Sequence, residues 1–447
     1  MSARQKTKKG QIYIGVLISL GLFMILSQAV ITLVFAAYDL LTFSRARITA
    51  RHVAQEQIEE IRNVPFDDVG TQGGIPSGIF PQSNEVLRNG LSYTVRTTVV
   101  YIDDPFDGQT PIDLLPTDYK RVRVDVSWGG LAASNGATIT LITDISPAGV
   151  ESVTGGGTLS ILVFDALGAP VPQATVTIVS SDVSPAVNLI AQTNDNGLVF
   201  LPGALACSGC YEVSITKSGF SSDKTYSTAE IANPTNPHAT VIVGELTELL
   251  FSIDRTSTVN FVTQNYDAGS FTPLANQELL IQGNKTLGTN AFDEPVYKYE
   301  DTITTDANGS ATLEGVEWGV YEITLPSEVD RNIAVATPLL PFTVDPNTTP
   351  TAQIGLAANN NPGLTVIITD SADAPIPLAT AVLSNGVDYE ETLETGESTE
   401  ADFGQVYFTD IVPADYTLTL TATGYLDDIR TVTISGHTTE TVILNQP

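Results

Sequence analysis

The chain has 447 residues, with 20 basic and 51 acidic side chains and a net charge of −31. So large an acidic excess argues against a nucleic-acid partner, because proteins bind nucleic acids largely through their phosphates. Charged residues are only 16% of the chain and hydrophobic residues 42%, which excludes a disordered acidic tail. The length suggests about three domains, or four small ones. Two cysteines exclude a disulfide scaffold. Three scattered histidines (His52, His238 and His437) leave little for a metal site or a catalytic triad, so we expect a non-enzymatic protein without a cofactor.

Charge divides the chain into a basic foot and a long acidic body. Residues 1–63 hold 8 basic and 4 acidic residues, whereas residues 64–447 hold 12 and 47. The 28 residues from Gln11 to Tyr38 carry no charge, and as a helix they would extend about 42 Å, enough to cross a hydrocarbon core of about 30 Å. Basic residues flank this span on both sides: Arg4, Lys6, Lys8 and Lys9 before it, and Arg45, Arg47 and Arg51 after it. The first group predicts a cytoplasmic N-terminus and an external body, and the second group weakens that orientation signal.

The helical pattern continues beyond the span. Residues 39–63 keep an apolar stripe with charges between its members: Leu41, Ile48, Val53, Ile58 and Ile61. Pro65 and the turn-forming residues 67–70 end the pattern. We therefore expect one helix from Gln11 to about Asn63, about 80 Å long, apolar on all sides in its first half and amphipathic in its second.

This start of the chain resembles a family. The basic leader ending in Lys-Lys-Gly, the long apolar helix and the helix exit AQEQIEEIRNVPFDDVG (54–70) resemble a type IV pilin or pseudopilin with a class III leader, of the PilV-like, prepilin-type group. The resemblance implies that residues 1–10 are a leader peptide, which prepilin peptidase removes between Gly10 and Gln11. It also implies insertion into the inner membrane, followed by assembly with other pilins through the N-terminal helix.

Two positions depart from the pilin pattern. Gln11 stands where the family usually has Phe, and Gly15 stands at the fifth mature position, where it usually has Glu. A carboxylate in lipid is costly unless it is paired, and in pilins it is thought to meet the N-terminal amine of the neighbouring subunit. Gly15 cannot form that pair. The departure indicates either a minor pilin at the filament tip, which has no neighbour above it, or a chain that does not assemble.

Residues 64–147 predict a small head. Three segments alternate between apolar and polar residues: LSYTVRTTVVYI, YKRVRVDVSW and ATITLITDI. Three antiparallel strands against the amphipathic helix would form an α+β domain, which resembles the layout of a pilin head. The loop DDPFDG (103–108) carries three carboxylates, which could bind calcium, although Asp, Pro and Gly are equally the ordinary residues of turns, and a plain loop is favoured.

After a linker at 148–157, the rest of the chain is repetitive. FDALGAPVPQATVTI (164–178) matches TDSADAPIPLATAVL (369–383). A turn glycine followed by a tyrosine that opens a strand occurs three times: Gly197 and Tyr211, Gly309 and Tyr321, Gly404 and Tyr416. These repeats predict an all-β region of three tandem Ig-like sandwiches at 158–256, 257–358 and 363–447. Their pattern resembles the carboxypeptidase regulatory-like (transthyretin-like) sandwich, which implies a spacer, stalk or ligand binder without catalysis.

The two cysteines form one short motif, Cys207-Ser-Gly-Cys210. A redox motif would place the first cysteine at a helix start in a βαβ unit, and the pattern here indicates a β-hairpin loop. A zinc site would need two further ligands, and no second such motif exists. If the body is extracellular, a local disulfide between Cys207 and Cys210 is favoured over both.

The sequence therefore predicts a non-enzymatic surface-filament component. The leading interpretation is a minor, tip-located type IV pilin or pseudopilin, whose sandwiches form a stalk that binds a surface, a glycan or a protein. It would lie in the inner membrane before assembly and at the cell surface afterwards. The alternative is a signal-anchored, single-pass receptor or wall-associated protein that keeps residues 1–10 and never joins a filament. An enzyme is a third class, but the sequence contains no catalytic constellation that supports it.

Overall fold

The structure is a computed structural model. It describes residues 9–104, 117–129, 137–147, 156–267, 269–327, 330–359 and 362–447, and its side chains from Leu17 onward. Most of the loop at 103–108 and most of the predicted linker at 148–157 lie outside the described residues. The fold is one long N-terminal helix followed by many β-sheets, as the sequence predicts.

Helix α1 runs from Lys9 to Arg62 and has 54 residues, which corresponds to about 81 Å. Its apolar first half is exposed from Leu17 to Tyr38, with a single half-buried residue. Among the described residues, α1 is the one helix long and apolar enough to cross a membrane. The helix ends close to the predicted position because Pro65 follows, and a short 3₁₀ turn at Phe66–Asp68 leads into the head.

The second half of α1 packs on a four-stranded antiparallel sheet. The buried helix residues are Ala46, Ala50, Val53, Ala54, Ile58 and Ile61. The strands are β1 (Ser83–Arg88), β2 (Leu91–Ile102), β3 (Tyr119–Trp128) and β4 (Thr138–Ile145), in the order β1-β2-β3-β4. The sequence predicts only three strands. It misses β1 because every residue of that strand except Val86 is exposed, so the strand has no apolar alternation.

Two facing sheets follow the head and enclose one apolar core. Their strands are β5 (Gly157–Phe164), β6 (Thr175–Ser180), β7 (Val187–Gln192), β8 (Leu198–Ala204), β9 (Cys207–Thr216), β10 (Asp223–Lys224), β12 (Ala239–Val241) and β13 (Leu246–Ser252). One sheet has the order β13-β5-β8 and the other β10-β9-β6-β7, with β12 paired to β9. These two sheets are called sandwich 1. Strand β11 (Asn233–Pro234) leaves sandwich 1 to pair with the next one.

Sandwich 2 is larger and less regular. Its strands are β14 (Ser257–Asp267), β15 (Ser270–Pro273), β16 (Glu278–Gly283), β17 (Thr286–Thr289), β18 (Pro295–Tyr297), β19 (Glu300–Thr304), β20 (Ser310–Val316), β21 (Gly319–Thr324), β22 (Arg331–Thr337), β23 (Phe342–Val344) and β24 (Thr351–Ala358). The main sheets are β15-β14-β24-β22, with β20 on β14, and β19-β16-β21-β23.

Sandwich 3 has seven strands. They are β25 (Leu364–Thr369), β26 (Thr380–Ser384), β27 (Glu390–Glu394), β28 (Gln405–Phe408), β29 (Ala414–Thr421), β30 (Asp428–Ile434) and β31 (Thr438–Ile443). The sheets are β28-β25-β31 and β27-β26-β29-β30. As in the other sandwiches, the first strand pairs in parallel with the last: β5 with β13, β14 with β24, and β25 with β31.

The repeated residues make the same contacts in all three sandwiches. Each repeat tyrosine donates its hydroxyl hydrogen bond to a carbonyl four to six residues upstream: Tyr211 to Leu205, Tyr321 to Glu317, and Tyr416 to Val412. Each repeat glycine has positive φ: 76° at Gly197, 77° at Gly309 and 68° at Gly404. The sequence repeat therefore corresponds to a repeated structural unit, while the limits proposed for each domain stay predictions.

Candidate functional site

The predicted processing site lies within α1. Gly10, Gln11 and Gly15 all belong to its first two turns, which continue without a break into the exposed apolar segment. The side chains of these residues lie outside the described part of the chain. Cleavage between Gly10 and Gln11, and the consequence of Gly15, therefore stay predictions.

The cysteine pair lies in a strand, and the predicted hairpin loop is wrong. Cys207 and Cys210 open β9, where Cys207 faces Val241 and Tyr211 faces Ala239, so β9 carries extra residues at a bulge. Gly209 has φ 60°, and its N–H donates to the Thr240 hydroxyl at 2.8 Å. The two sulfur atoms touch, and the Cα atoms are 6.0 Å apart, within the range that disulfides span. The Cα separation suits a local disulfide between Cys207 and Cys210, which stays a prediction.

The cysteine pair gives a direct chemical test. We expect the unreduced chain from the cell surface to be lighter than the reduced chain by two hydrogen atoms, with that difference confined to the peptide that contains Cys207 and Cys210. Intact-mass and peptide mass spectrometry after trapping with a maleimide would measure it. Two labelled thiols in the unreduced surface protein would contradict the disulfide.

The head and sandwich 1 are joined by polar contacts. The Thr98 hydroxyl donates to the Gln192 side-chain carbonyl at 3.4 Å, and the Asn194 amide donates to the Tyr101 carbonyl at 3.3 Å. The guanidinium of Arg121 lies 3.3 Å from the carboxylate of Asp195. These contacts tie the outer face of the head sheet to one edge of sandwich 1.

The buried Lys120 fixes the segment that follows α1 to the head sheet, beside the contacts between the head and sandwich 1. Lys120 Nζ donates to the carbonyls of Phe66 at 2.8 Å and Val69 at 2.7 Å. Burial lowers the pKa of Lys120 to about 8, although the carboxylates of Asp67 and Asp68 act in the opposite direction. Lys120 also lines a cavity of about 400 Å³ that lies between the head and sandwich 1. Both hydrogen bonds of this lysine go to backbone carbonyls, so its role is structural.

Sandwiches 1 and 2 share a small sheet. Strand β11 of the first segment pairs with β17 of the second, so that Asn233 faces Thr289 and Pro234 faces Gly288. The next residue continues the pairing, because the Thr235 N–H donates to the Leu287 carbonyl at 2.9 Å. Backbone pairing across two sandwiches restricts their relative rotation far more than a flexible linker would.

A charged cluster lies beside that shared sheet. Lys285 Nζ and Lys298 Nζ are each 2.8 Å from an oxygen of the Glu317 carboxylate, and Lys285 Nζ lies 3.1 Å from the ring centroid of Trp318. Burial raises the pKa of Asp223, while the charge of Lys298 lowers it. These groups line a cavity of about 370 Å³ between the two sandwiches. The positive charges of Lys285 and Lys298 balance the negative charges of Glu317 and Asp223, which is the arrangement of an ion-pair network at an interface.

Sandwiches 2 and 3 meet through a buried glutamine. The side chain of Gln405 accepts the Ala336 N–H at 3.1 Å and donates to the Ala336 carbonyl at 2.6 Å. Gln405 is 3% exposed. The Thr365 hydroxyl donates to the Ala334 carbonyl at 3.0 Å, and the rings of Tyr266 and Tyr407 pack edge to face. The sequence predicts no contact between these two sandwiches, and the one signal it offers is a glutamine in the apolar segment QVYF.

The buried carboxyl group of Asp402, at the same junction, is expected to make the stability of the fold depend on pH. It is 5% exposed, and within the described chain its Oδ1 has no hydrogen-bond partner. Burial first, and then the charge of Glu400, raises the pKa of Asp402 from 3.8 to about 6. Between about pH 3.8 and 6, the folded protein therefore holds a proton on Asp402 that the unfolded chain has lost. The stabilisation from this group is fully present below about pH 3.8 and is lost as pH rises through 6.

Asp402→Asn is expected to stabilise the protein at pH 7 by about 3 kcal/mol, because the amide removes the cost of a buried charge. At pH 4 the two proteins should unfold almost alike. Calorimetry of the full chain in detergent at both values would measure this, with Asp427→Asn, an exposed carboxylate in the same sandwich, as the control. A variant that is no more stable than wild type at pH 7 would contradict the raised pKa.

The structure brings no catalytic or metal-ligating group together in the part of the chain that it describes. Within those residues, no cluster of three or more His, Cys, Asp or Glu side chains could hold a metal ion. The carboxylate in the turn at 306–310 binds backbone groups: Asp306 Oδ1 accepts the N–H groups of Asn308 and Ser310, both at 2.8 Å. In sandwich 1, Asn194 Oδ1 accepts those of Asn196 and Leu198 in the same way. These are turn contacts.

Comparison with known proteins does not assign this chain to a family. No protein-family model matches the chain, and no curated protein matches its sequence. Among solved structures, it aligns with the Bacillus anthracis TIE protein at 14% identity and a TM-score of 0.19, over 82% of this chain and 73% of that one. It aligns with GBS52, the minor pilin in the Gram-positive pathogen Streptococcus agalactiae (17%, TM-score 0.19, 43% and 96%), and with BcpA, the major pilin subunit of Bacillus cereus (13%, TM-score 0.17, 65% and 100%). TM-scores this low carry no argument about this chain.

Proposed function

We propose that this protein is a non-enzymatic component of a surface filament, a minor type IV pilin or pseudopilin that sits at the tip and carries a stalk. The observation behind the proposal is α1. Its exposed apolar half continues into a half that packs on the head sheet, so one helix can serve first as a membrane anchor and then as an assembly element. By this proposal, prepilin peptidase cuts before Gln11, and other pilins contact the helix.

The stalk explains the tip position in the proposal. Subunits in a filament pack closely through their helices, and three sandwiches at 158–447 would crowd the shaft. At a tip there is room for them, and the missing carboxylate at Gly15 costs nothing where no subunit lies above. The contacts at Asn233–Thr289 and Gln405–Ala336 would hold sandwich 3 at a distance from the cell. There it would bind a surface, a glycan or a protein, which makes adhesion the expected role.

The proposal is tested by locating sandwich 3 on filaments. Immunogold labelling of an epitope inserted at the exposed turn 386–388 is expected to mark filament ends. Gly15→Glu restores the carboxylate, and we expect it to raise the number of labelled copies and to spread them along the shaft. Label confined to the cell envelope in both proteins would contradict filament assembly and favour the signal-anchored receptor.

A further inference from the structure

The arginines after the apolar span have no partner in the fold. Residues 40–55 contain Arg45, Arg47 and Arg51 and no acidic residue, although the chain as a whole carries a net charge of −31. All three side chains are exposed. Among the described residues, none of them makes an ion pair or a hydrogen bond. Unpaired arginines in so acidic a protein indicate an anionic partner from outside the chain.

The position of the cluster indicates which partner this is. The helix continues unbroken from the apolar span, so Arg45 lies about 10 Å and Arg47 about 14 Å beyond Tyr38 along the axis. Helical side chains tilt toward the N-terminus, here toward the membrane, and the long arginine stem reaches further back. The headgroup layer is about 5–8 Å thick on each side of the hydrocarbon core. The guanidinium groups of Arg45 and Arg47 can therefore reach the phosphates of that layer.

A cavity opens at the same height. It measures about 630 Å³ and lies between α1 and the turn of the β1–β2 hairpin, lined by Arg45, Ile48 and Leu91 among others. The Tyr93 hydroxyl donates to the Ala46 carbonyl at 3.3 Å and holds the hairpin to the helix. Ile48 is 57% exposed. The cavity thus combines one unpaired cation with apolar walls, which suits a lipid headgroup and the start of its acyl chain.

The hairpin and the charge of the body support the same partner. Leu87, which lies two residues before the hairpin turn that lines the cavity, is 69% exposed. Two acids flank the arginines along α1, Asp39 and Glu56, and Glu56 already pairs with Arg88 at 3.3 Å. Residues 64–447 hold 47 acidic and 12 basic residues, so an anionic bilayer would repel the body as a whole, whereas the arginine cluster belongs to the basic foot and would attract it.

We propose that Arg45 and Arg47, with the hairpin cavity, form a binding site for anionic phospholipids at the boundary of the bilayer. The site rests on the proposed membrane insertion of α1. It fixes the height and tilt of the head on the membrane before assembly. It also accounts for basic residues on the body side of the span, which the usual charge asymmetry of membrane anchors disfavours.

The test uses the full chain in nanodiscs of mixed phosphatidylglycerol and phosphatidylcholine, with retained lipids counted by native mass spectrometry. We expect wild type to retain phosphatidylglycerol preferentially. Arg45→Gln/Arg47→Gln should lower that preference roughly 25-fold, because each arginine near an anionic surface contributes roughly fivefold. Arg45→Lys/Arg47→Lys should keep most of it. Arg96→Gln/Arg255→Gln removes two exposed arginines remote from the membrane and should leave it unchanged.

The outcomes separate this inference from the proposed function. A wild-type chain that alkaline carbonate strips from the bilayer would overturn both membrane insertion and the lipid site. A chain that stays inserted but retains lipids in proportion to the bilayer composition would overturn the lipid site alone. So would an equal loss of preference in the remote-arginine control. Displacement of the bound lipid by soluble glycerol phosphate would assign the arginines to a free phosphate and overturn the lipid partner.

Discussion

Gly197→Ala is expected to destabilise sandwich 1 by about 3–4 kcal/mol. Gly197 has φ 76°, a conformation that costs an alanine about 1 kcal/mol. An added Cβ would also overlap the carbonyl oxygen of Val163 in the neighbouring strand β5. The Val163 N–H donates to the Gly197 carbonyl at 2.9 Å, so the turn cannot move away without losing that hydrogen bond.

Gly168→Ala is the matched control. Gly168 lies in the same sandwich with φ 80°, but an added Cβ there would meet open space. It should therefore lose only about 1 kcal/mol. Denaturant unfolding of the full chain, with hydrogen exchange at the Val163 amide as the local readout, would measure both. Equal losses would contradict the overlap, and with it the explanation for glycine at the equivalent positions Gly309 and Gly404.

Gln405→Ala should loosen the junction between sandwiches 2 and 3. It leaves the N–H and the carbonyl of Ala336 without their side-chain partner in a buried position, at a cost of about 1–3 kcal/mol for each unpaired group. We expect the Ala336 amide to exchange much faster, while amides in the core strands β25 and β29 keep their protection. Small-angle scattering should show a broader distribution of overall dimensions.

Gln353→Ala is the control at the same junction. Its side chain also donates across the interface, to the Thr399 carbonyl at 3.2 Å, but this hydrogen bond is exposed to solvent. Water can replace such a bond, so we expect a loss well under 1 kcal/mol. If the two variants changed exchange at Ala336 to the same extent, the buried glutamine would not be the contact that fixes the junction.

Local patterns predicted most of the fold. The end of α1 near Pro65 and the inward faces of β2 and β3 follow from the period of apolar residues, which sequence displays directly. The repeated spacing of glycine and tyrosine predicted three sandwiches, because a positive-φ turn and a buried hydroxyl place strict demands on residue type. Where one residue type alone satisfies the geometry, the sequence is informative.

The junctions could not be predicted in this way. The contact between Gln405 and Ala336 joins residues 69 positions apart, and the Lys285–Glu317 pair joins two connections of sandwich 2 that are 32 positions apart. None of these residues belongs to a periodic pattern. Strand β1 was missed because it is almost wholly exposed, and the cysteine pair was expected in a hairpin loop, whereas it lies at a bulge that depends on the pairing of β9 with β12. Such features depend on long-range packing.

The N-terminal mass of the mature protein tests the central proposal most directly. It should be measured in the membrane fraction and in the fraction sheared from the cell surface. The sheared protein is expected to begin at Gln11, after loss of residues 1–10. A chain that still carries residues 1–10 and occurs only in the membrane fraction would contradict the filament proposal and leave a tethered β-sandwich protein.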